Sequence, residues 1–343
     1  MNISVVIPAY NTAGTIKACL LSLFKQSLLP FEIIVVNNNS TDNTKDLVLQ
    51  ILDAQKDIPS CCLDEIRQGP SYARNCGAAR TRGDVIAFID ADCIADPSWL
   101  ARLSESFSSP DIGAVAGSII GYDKGTTIGK FHAVFTMKDL PESRMFHEFN
   151  LVSGGFPTAN LSTRKQVFEA ICGFDEALPI YSEDYDLCAR IYKAGFGIYY
   201  NKDVKVFHHH RQSLASTWRQ SFGFGTGHAT LLKKHFRRMV IVEIPRWRYI
   251  SKRWPLRAWL DIASADKKFM LCVVLFSIWS PFSLFLLLYL ILLYRNMGYR
   301  VKKEHVEADF GEKWAMIFLL LFKSLAITVG RIRGSFTHGV LCT

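Results

Sequence analysis

The sequence contains no G-x-x-x-x-G-K-[ST] phosphate loop, and no G-x-G-x-x-G follows its first apolar run. P-loop nucleotide hydrolysis and ordinary dinucleotide binding lose their usual signatures. "GFGTG" at 223–227 is glycine-rich, but it follows a basic stretch rather than a strand, and alone it is weak support for phosphate binding. No metal-ligand spacing is found among the nine cysteines: Cys61 and Cys62 are adjacent, and the others are scattered at apolar positions. An odd number of thiols with no leader ahead of them fits a reducing compartment and buried side chains. The opening "MNISVVIPAY" lacks both a charged n-region and a cleavable apolar run, so it is expected to begin as a strand. Acids are scarce between residues 202 and 257, where thirteen Lys and Arg face only Asp203 and Glu243. From 269 to 294 there is no charge at all.

What is present divides the chain in two. Of 343 residues, 49% are hydrophobic, and the excess gathers after residue 268. A soluble part followed by a membrane part is expected. The net charge of +9 is concentrated in the basic stretch. Such a stretch is a solvated helix face, a nucleic-acid contact or an anionic-membrane contact. Aromatics interleave in "RWRYISKRW", and an apolar segment follows, which favours the membrane interface and no nucleic acid. The uncharged run covers 26 residues, where about 20 span a bilayer. Lys267, Lys268 and Arg295 bracket it, and Pro281 near its middle kinks it or makes it a hairpin. "WAMIFLLLFKSLAITVG" (314–330) is interrupted by Lys323, and either spans or lies in the interface. Basic residues at both ends leave the loop's side open. The expected organisation is a catalytic domain over 1–230, a basic amphipathic interfacial segment over 231–268, membrane helices over 269–333 and a tail.

Before residue 121, β-rich runs alternate with helical patterns. Runs at 3–7, 31–36, 61–63, 84–90 and 114–120 read as strands. Segments 12–27, 40–52, 69–82 and 97–106 read as helices, with Pro70 in a first turn. This predicts an α/β, Rossmann-like and mostly parallel sheet. With strand order 3-2-1-4, a ligand belongs at the switch point, at the carboxyl ends of the strands. Those ends read "PAYN", "NNNSTD" and "DAD".

In "DAD", Asp90 and Asp92 project the same way from an extended end and can address one ligand. Hard carboxylate oxygens suit Mg²⁺ or Mn²⁺, with phosphate oxygens completing the shell. The alternative is a surface turn capping the next helix. "SEDYD" (182–186) puts carboxylates into the first turn of a helical pattern, where they also complement the helix dipole. "VFHHHRQS" follows an apolar run. His208 and His210 share a face there, with His209 opposite.

Five ordered blocks carry a resemblance: "VVIPAYN", "VVNNNSTDNT", "ARNCGAARTRGDVIAFIDAD", "GGFPTANLSTRKQVFEAICGFDEAL" and "SEDYDLCARIYKAGFGIYY". Over residues 1–230 the chain resembles family 2 glycosyltransferases of the GT-A fold, of the membrane-anchored bacterial or archaeal type. The resemblance implies inverting, metal-dependent sugar transfer from a nucleotide-diphosphate sugar. Pro8, Tyr10 and Asn11 would line the base, Asp42 matches the block after the second strand, and Arg74 would meet donor phosphate or ribose. Asp90 would face ribose and metal, Asp92 would bind metal, and a histidine, His208 for preference, would complete the metal shell. The family usually has two Asp then Gly where this chain has Asn37, Asn38 and Asn39, and Asn38 would contact the base edge. Inversion needs a base for the acceptor hydroxyl. Asp184 matches the family's base, Glu183 would orient it or the acceptor, and Asp186 is structural. Gly155, in "GGFPTAN", would border acceptor and donor sugar. Arg219 is a candidate phosphate contact from a lid.

The reading that follows is transfer to a lipid-linked or cell-surface glycan at the cytoplasmic face of the inner membrane, with membrane lipid as a further partner. Two readings compete with it: transfer to a polyprenyl phosphate carrier, and a non-catalytic membrane scaffold that keeps the fold.

Overall fold

The computed structural model describes residues 1–343 except 123–124, 136–139, 150–152, 211, 245–246, 252–255 and 279–282. Pro281 and much of the basic 246–257 string lie outside the described residues. Two compact units form: residues 1–122 with 138–209, and residues 123–137 with 210–343.

Along the first unit the order is β1 (Ile3–Ala9), α1 (Ile16–Phe24), β2 (Glu32–Asn37), α2 (Thr44–Ala54), β3 (Ser60–Asp64), α3 (Pro70–Arg80), β4 (Val85–Phe88), β5 (Cys93–Ala95), α4 (Trp99–Ser106) and β6 (Ile112–Gly121). After α5 (Thr127–Phe135), which belongs to the second unit, come β7 (Arg144–Phe146), β8 (Leu161–Arg164), α6 (Lys165–Ala170), α7 (Glu183–Lys193) and β9 (Gly197–His208). The nine strands form one sheet in the order β3-β2-β1-β4-β8-β6-β9-β5, with β7 on β9. Strands β1, β2, β3, β4, β6 and β9 run one way, and β5, β7 and β8 run against them. The expected 3-2-1-4 half is therefore present, and parallel throughout.

The apolar runs form these strands because both sheet faces are covered. Val5, Val6, Ile7, Ile33, Val35 and Val36 are fully buried, and each such side chain contributes about 1.5–3 kcal/mol. Behind the switch point, Phe88, Phe168 and Phe174 pack edge-on or tilted, with centroids 5.3–5.6 Å apart. This aromatic core fixes the base of β4, from which Asp90 and Asp92 emerge. Helix α7 begins one residue after Ser182, with Glu183, Asp184 and Asp186 in its first turn. Acids there are favoured by the positive end of the helix dipole.

The second unit contains α5, α8 (Leu214–His235), β10 (Val240–Ile244), β11 (Trp247–Ser251), β12 (Ala258–Asp261), α9 (Ala265–Ile278), α10 (Ser283–Lys303), α11 (Phe310–His338) and β13 (Leu341–Cys342). Residue 230, the expected end of the catalytic domain, falls inside α8. The glycine-rich 223–227 stretch is also mid-helix, not a loop. A Cβ on Gly225 would lie 2.1 Å from the Ile327 carbonyl oxygen, and one on Gly330 would lie 2.1 Å from that of Phe222. These glycines bring the backbones of α8 and α11 into contact, and that accounts for a composition that reads like a phosphate loop. Helix α11 opens with a capping box. The Glu312 N–H donates to Asp309 Oδ1 (2.8 Å), and the Asp309 N–H donates to Glu312 Oε2 (3.1 Å). Helices α10 and α11 are long and apolar enough to cross a membrane.

Candidate active site

Arg74 is the hub of the site. Four residues into α3, its side chain is 6% exposed and faces the end of β4 and the start of α7. Nη2 donates to Asp90 Oδ1 at 3.0 Å and Nη1 to Glu183 Oε1 at 3.2 Å, while Asp184 Oδ1 lies 3.5 Å from Nη1. The Phe174 ring lies 5.6 Å from the guanidinium carbon. One cation thus holds three carboxylates drawn from two elements more than ninety residues apart in sequence. Their positions match the spread in "ARN", "DAD" and "SED".

The two α7 carboxylates have different surroundings. Glu183 is buried, and its other oxygen accepts the Ser182 N–H at 3.0 Å. Asp184 is more open. Its Oδ1 accepts the Thr158 hydroxyl at 2.7 Å, and its Oδ2 accepts the Thr158 N–H at 3.2 Å. Burial, then the neighbouring Glu183, pushes the Asp184 carboxyl up to about 7 against the pull of Arg74 and Thr158. A carboxylate with that value gives up and takes protons at working pH, as a general base must. Asp186 turns away and accepts Arg190 Nε at 2.8 Å from a fully buried position.

Asp92 and His208 meet because β5 pairs antiparallel with β9 and sets Cys93 opposite His208. His208 Nε2 lies 3.4 Å from Asp92 Oδ1. With Cys93 they form a group of ligand atoms all within 4.8 Å of one another. Burial, then Asp92 and Asp90, pushes the Cys93 thiol well up, so it keeps its proton and is a poor third donor. The remaining oxygen-and-imidazole set fits a hard divalent ion such as Mn²⁺ better than a thiolate-seeking one. Asp92 has 39% of its side chain exposed and so has room for one. His209 turns the other way and packs on Tyr122, with centroids 4.6 Å apart.

The strand-end loops are tied to each other. Asn11 Oδ1 accepts the Thr41 N–H (2.8 Å) and Ser40 Oγ accepts the Asn11 N–H (3.1 Å). Asp42 accepts the Ala13 N–H at 3.2 Å and the Thr44 hydroxyl at 2.5 Å. Tyr10 stands out at the tip, half exposed, with Pro8 partly buried below it. Asn38 points elsewhere. Its amide nitrogen donates to the carbonyls of Glu65 (2.9 Å) and Arg67 (2.8 Å), and its oxygen accepts the Gly69 N–H (2.8 Å). Its amide is used in building the loop before α3 rather than in facing a ligand. Gly155 lies against α7: a Cβ there would come within 2.6 Å of the Tyr185 ring. Arg219 lies in the second unit, on α8, beside a groove of about 490 Å³ shared with Trp218, Phe222 and Phe322.

Sequence reasoning did not single out Thr158, Phe174, Cys93 or Tyr185. Thr158 sits inside the quoted "GGFPTAN", but one sequence does not say which way its hydroxyl faces.

A family model, Glycosyl transferase family 2, matches residues 4–172. Glycosyltransferase AglE of Haloferax volcanii is 30% identical over 228 residues, covering 66% of this chain and 72% of AglE. The same organism's glucosyl-dolichyl phosphate glucuronosyltransferase is 28% identical over 221 residues, 61% of this chain and 69% of that enzyme. Among solved structures, the mannosyltransferase PcManGT from Pyrobaculum calidifontis, in complex with GDP-Man and Mn²⁺, superposes with a TM-score of 0.60 at 16% identity, over 96% of this chain and 87% of that one. The sheet and its helices are the GT-A fold of glycosyltransferases. The chain itself belongs to glycosyltransferase family 2.

Proposed function

We propose that the protein transfers a sugar, with inversion, from a nucleotide-diphosphate sugar to a lipid-linked or surface glycan acceptor at the cytoplasmic face of a membrane. The observation that carries this reading is Asp184. It is a mostly buried carboxylate, 23% exposed, raised into the working pH range, held by Thr158, beside an arginine that also holds the "DAD" strand end. Asp184 takes the proton of the acceptor hydroxyl as it attacks. Glu183, fastened to Arg74 and Ser182, keeps the first turn of α7 in place. In this reading Arg74 meets the leaving diphosphate. Pro8, Tyr10 and Asn11 line the nucleotide, and Asp42 fixes their loop. Asp92 and His208, with Asp90, would hold Mg²⁺ or Mn²⁺, which supplies positive charge to the diphosphate.

PcManGT in its complex holds GDP-Man and Mn²⁺, and the name of the related glucuronosyltransferase points to a sugar on dolichyl phosphate. The first supports a nucleotide-sugar donor here, and the second a lipid-linked acceptor. The test is a calorimetric screen of nucleotide sugars with and without Mn²⁺, followed by transfer assays. The assays use a lipid-linked sugar and, as a separate arm, a bare polyprenyl phosphate. Asp184→Asn is expected to bind donor like the parent and to lose about 10²–10⁴-fold in turnover. Unchanged turnover would remove Asp184 from the chemistry. Neither donor binding nor transfer with any sugar would favour a scaffold.

A further inference from the structure

We propose that the second unit is monotopic: α9 and α10 dip into one leaflet as a hairpin, and α11 lies along the interface instead of crossing. The proposal deepens the membrane association in the reading above and is independent of the chemistry.

The uncharged run 269–294 looks like a single span, but the Tyr289 hydroxyl donates to the Ala265 carbonyl at 3.0 Å. In one straight helix those residues would stand about 36 Å apart. Helices α9 and α10 therefore lie side by side. Their uncharged parts, 269–278 and 284–294, are each about 15–17 Å long, roughly half of a ~30 Å hydrocarbon core. Met270, Leu271, Val274, Leu284, Leu288 and Ile291 are exposed along this half. The other half of α10 buries one face and leaves the opposite one, with Arg295, Tyr299 and Lys302, exposed. Leu293, Met297 and Val301 pack with Phe131 of α5 and with Met316 and Ile317 of α11.

Helix α11 has two faces. Phe310, Trp314, Phe318, Leu325, Ile332 and Phe336 are exposed, the last at 87%. At 3.6 residues per turn they fall within an arc of about 100° and run for about 39 Å. The rest of its circumference carries polar partners along nearly the whole length. Glu312 pairs with Lys130 at 2.7 Å, Lys323 donates to the Phe135 carbonyl at 2.9 Å and Arg331 pairs with Asp261 at 2.8 Å, while Thr328, at the edge of the apolar arc in line with Phe310, donates to Asp266 at 2.7 Å. A crossing helix would bury Lys323 and the Asp266 cluster near the bilayer midplane, where charges are costly. A helix lying flat puts only its apolar arc into lipid. The occupant that fits is an anionic leaflet. The unit exposes Lys233, Lys234, Arg237, Arg238, Lys302 and Lys303, each able to add about 1 kcal/mol near a negative surface.

The test uses the full chain and a membrane-impermeant maleimide, with the parent giving the background of native thiols. Asp57→Cys reports the side of the first unit, and Glu307→Cys reports the link between α10 and α11; both positions are exposed. In right-side-out and inverted vesicles alike, the two variants are expected to label to the same extent. Labelling from opposite sides would overturn the proposal. Vesicle flotation separates the two layers of inference. A chain that floats with no vesicle overturns membrane association itself. Phe318→Asp with Phe336→Asp is expected to weaken partition to phosphatidylglycerol vesicles at least tenfold. Unchanged partition, with a dimer becoming a monomer in detergent, would instead place a second copy on the stripe and overturn the proposal.

Discussion

Asn38 and Asn39 show what one side chain can settle. Where the resembling family has Asp-Asp-Gly, this chain has three asparagines. The second one donates to two carbonyls, which a carboxylate cannot do. Asn38→Asp should therefore turn two donors into acceptors facing acceptors, costing about 1–3 kcal/mol for each group left unpaired. Urea unfolding would measure it, and an unchanged midpoint would refute it. Asn39 has φ 59°, the left-handed region that glycine enters freely and asparagine tolerates. Asn39→Gly should be near neutral, and Asn39→Val should cost about 1–3 kcal/mol. The triplet was legible as a departure; its reason was not, because a backbone angle is absent from a list of letters.

Asp184 is the other residue with a measurable consequence. Below about pH 7 it carries a proton, so kcat/KM should climb with pH and level off above that value. The limb should vanish in Asp184→Asn. The stability effect has the opposite sign. A carboxyl raised in the folded state from 3.8 to about 7 favours folding at low pH and loses that contribution as the pH climbs through 7. Asp184→Asn should thus gain Tm relative to the parent as the pH rises from about 4 to about 7, with the difference constant above that. A difference that stays constant through that rise would contradict the assignment.

At the scale of elements, the parallel half of the sheet was legible because buried strands are uniformly apolar and helices alternate with them. The return strands β8 and β7 were not read as such, and of the long β9 only an apolar, strand-like run ahead of the three histidines was seen. "LSTR" and "RMF" are short, and their place is set by partners far along the chain. The α8–α11 contact was equally hidden. Glycine in a helix reads as weakness until another backbone is found against it. Gly330→Leu should drive a side chain into the Phe222 carbonyl and destabilise the chain by at least about 1–3 kcal/mol. Thermal unfolding would show it, and an unshifted Tm would mean that α8 and α11 do not meet there. Gly155→Ala pushes instead on Tyr185, next to Asp184, and should lower kcat more than donor affinity.

At the scale of the whole molecule, charge and apolar surface act together. Exposed lysines and arginines attract an anionic surface at a range set by salt, about 10 Å at 0.1 M and 3 Å at 1 M. The apolar arc of α11 and the α9–α10 hairpin feel no such screening. Raising salt from 0.1 to 1 M should therefore weaken binding to anionic vesicles without abolishing it. Complete release would mean that electrostatics alone hold the protein there.

If the second unit is the membrane hairpin proposed above, the hydrogen bond from Tyr289 to Ala265 bears on how the chain would enter a membrane. A segment folded back on itself moves no hydrophilic domain across a bilayer, so no translocation channel is required. Insertion can then wait until synthesis is finished. Chain made in a cell-free extract without lipid, with translation stopped before vesicles are added, should still become vesicle-bound and acquire the same maleimide pattern. If binding requires vesicles to be present during translation, the hairpin is not free to enter on its own.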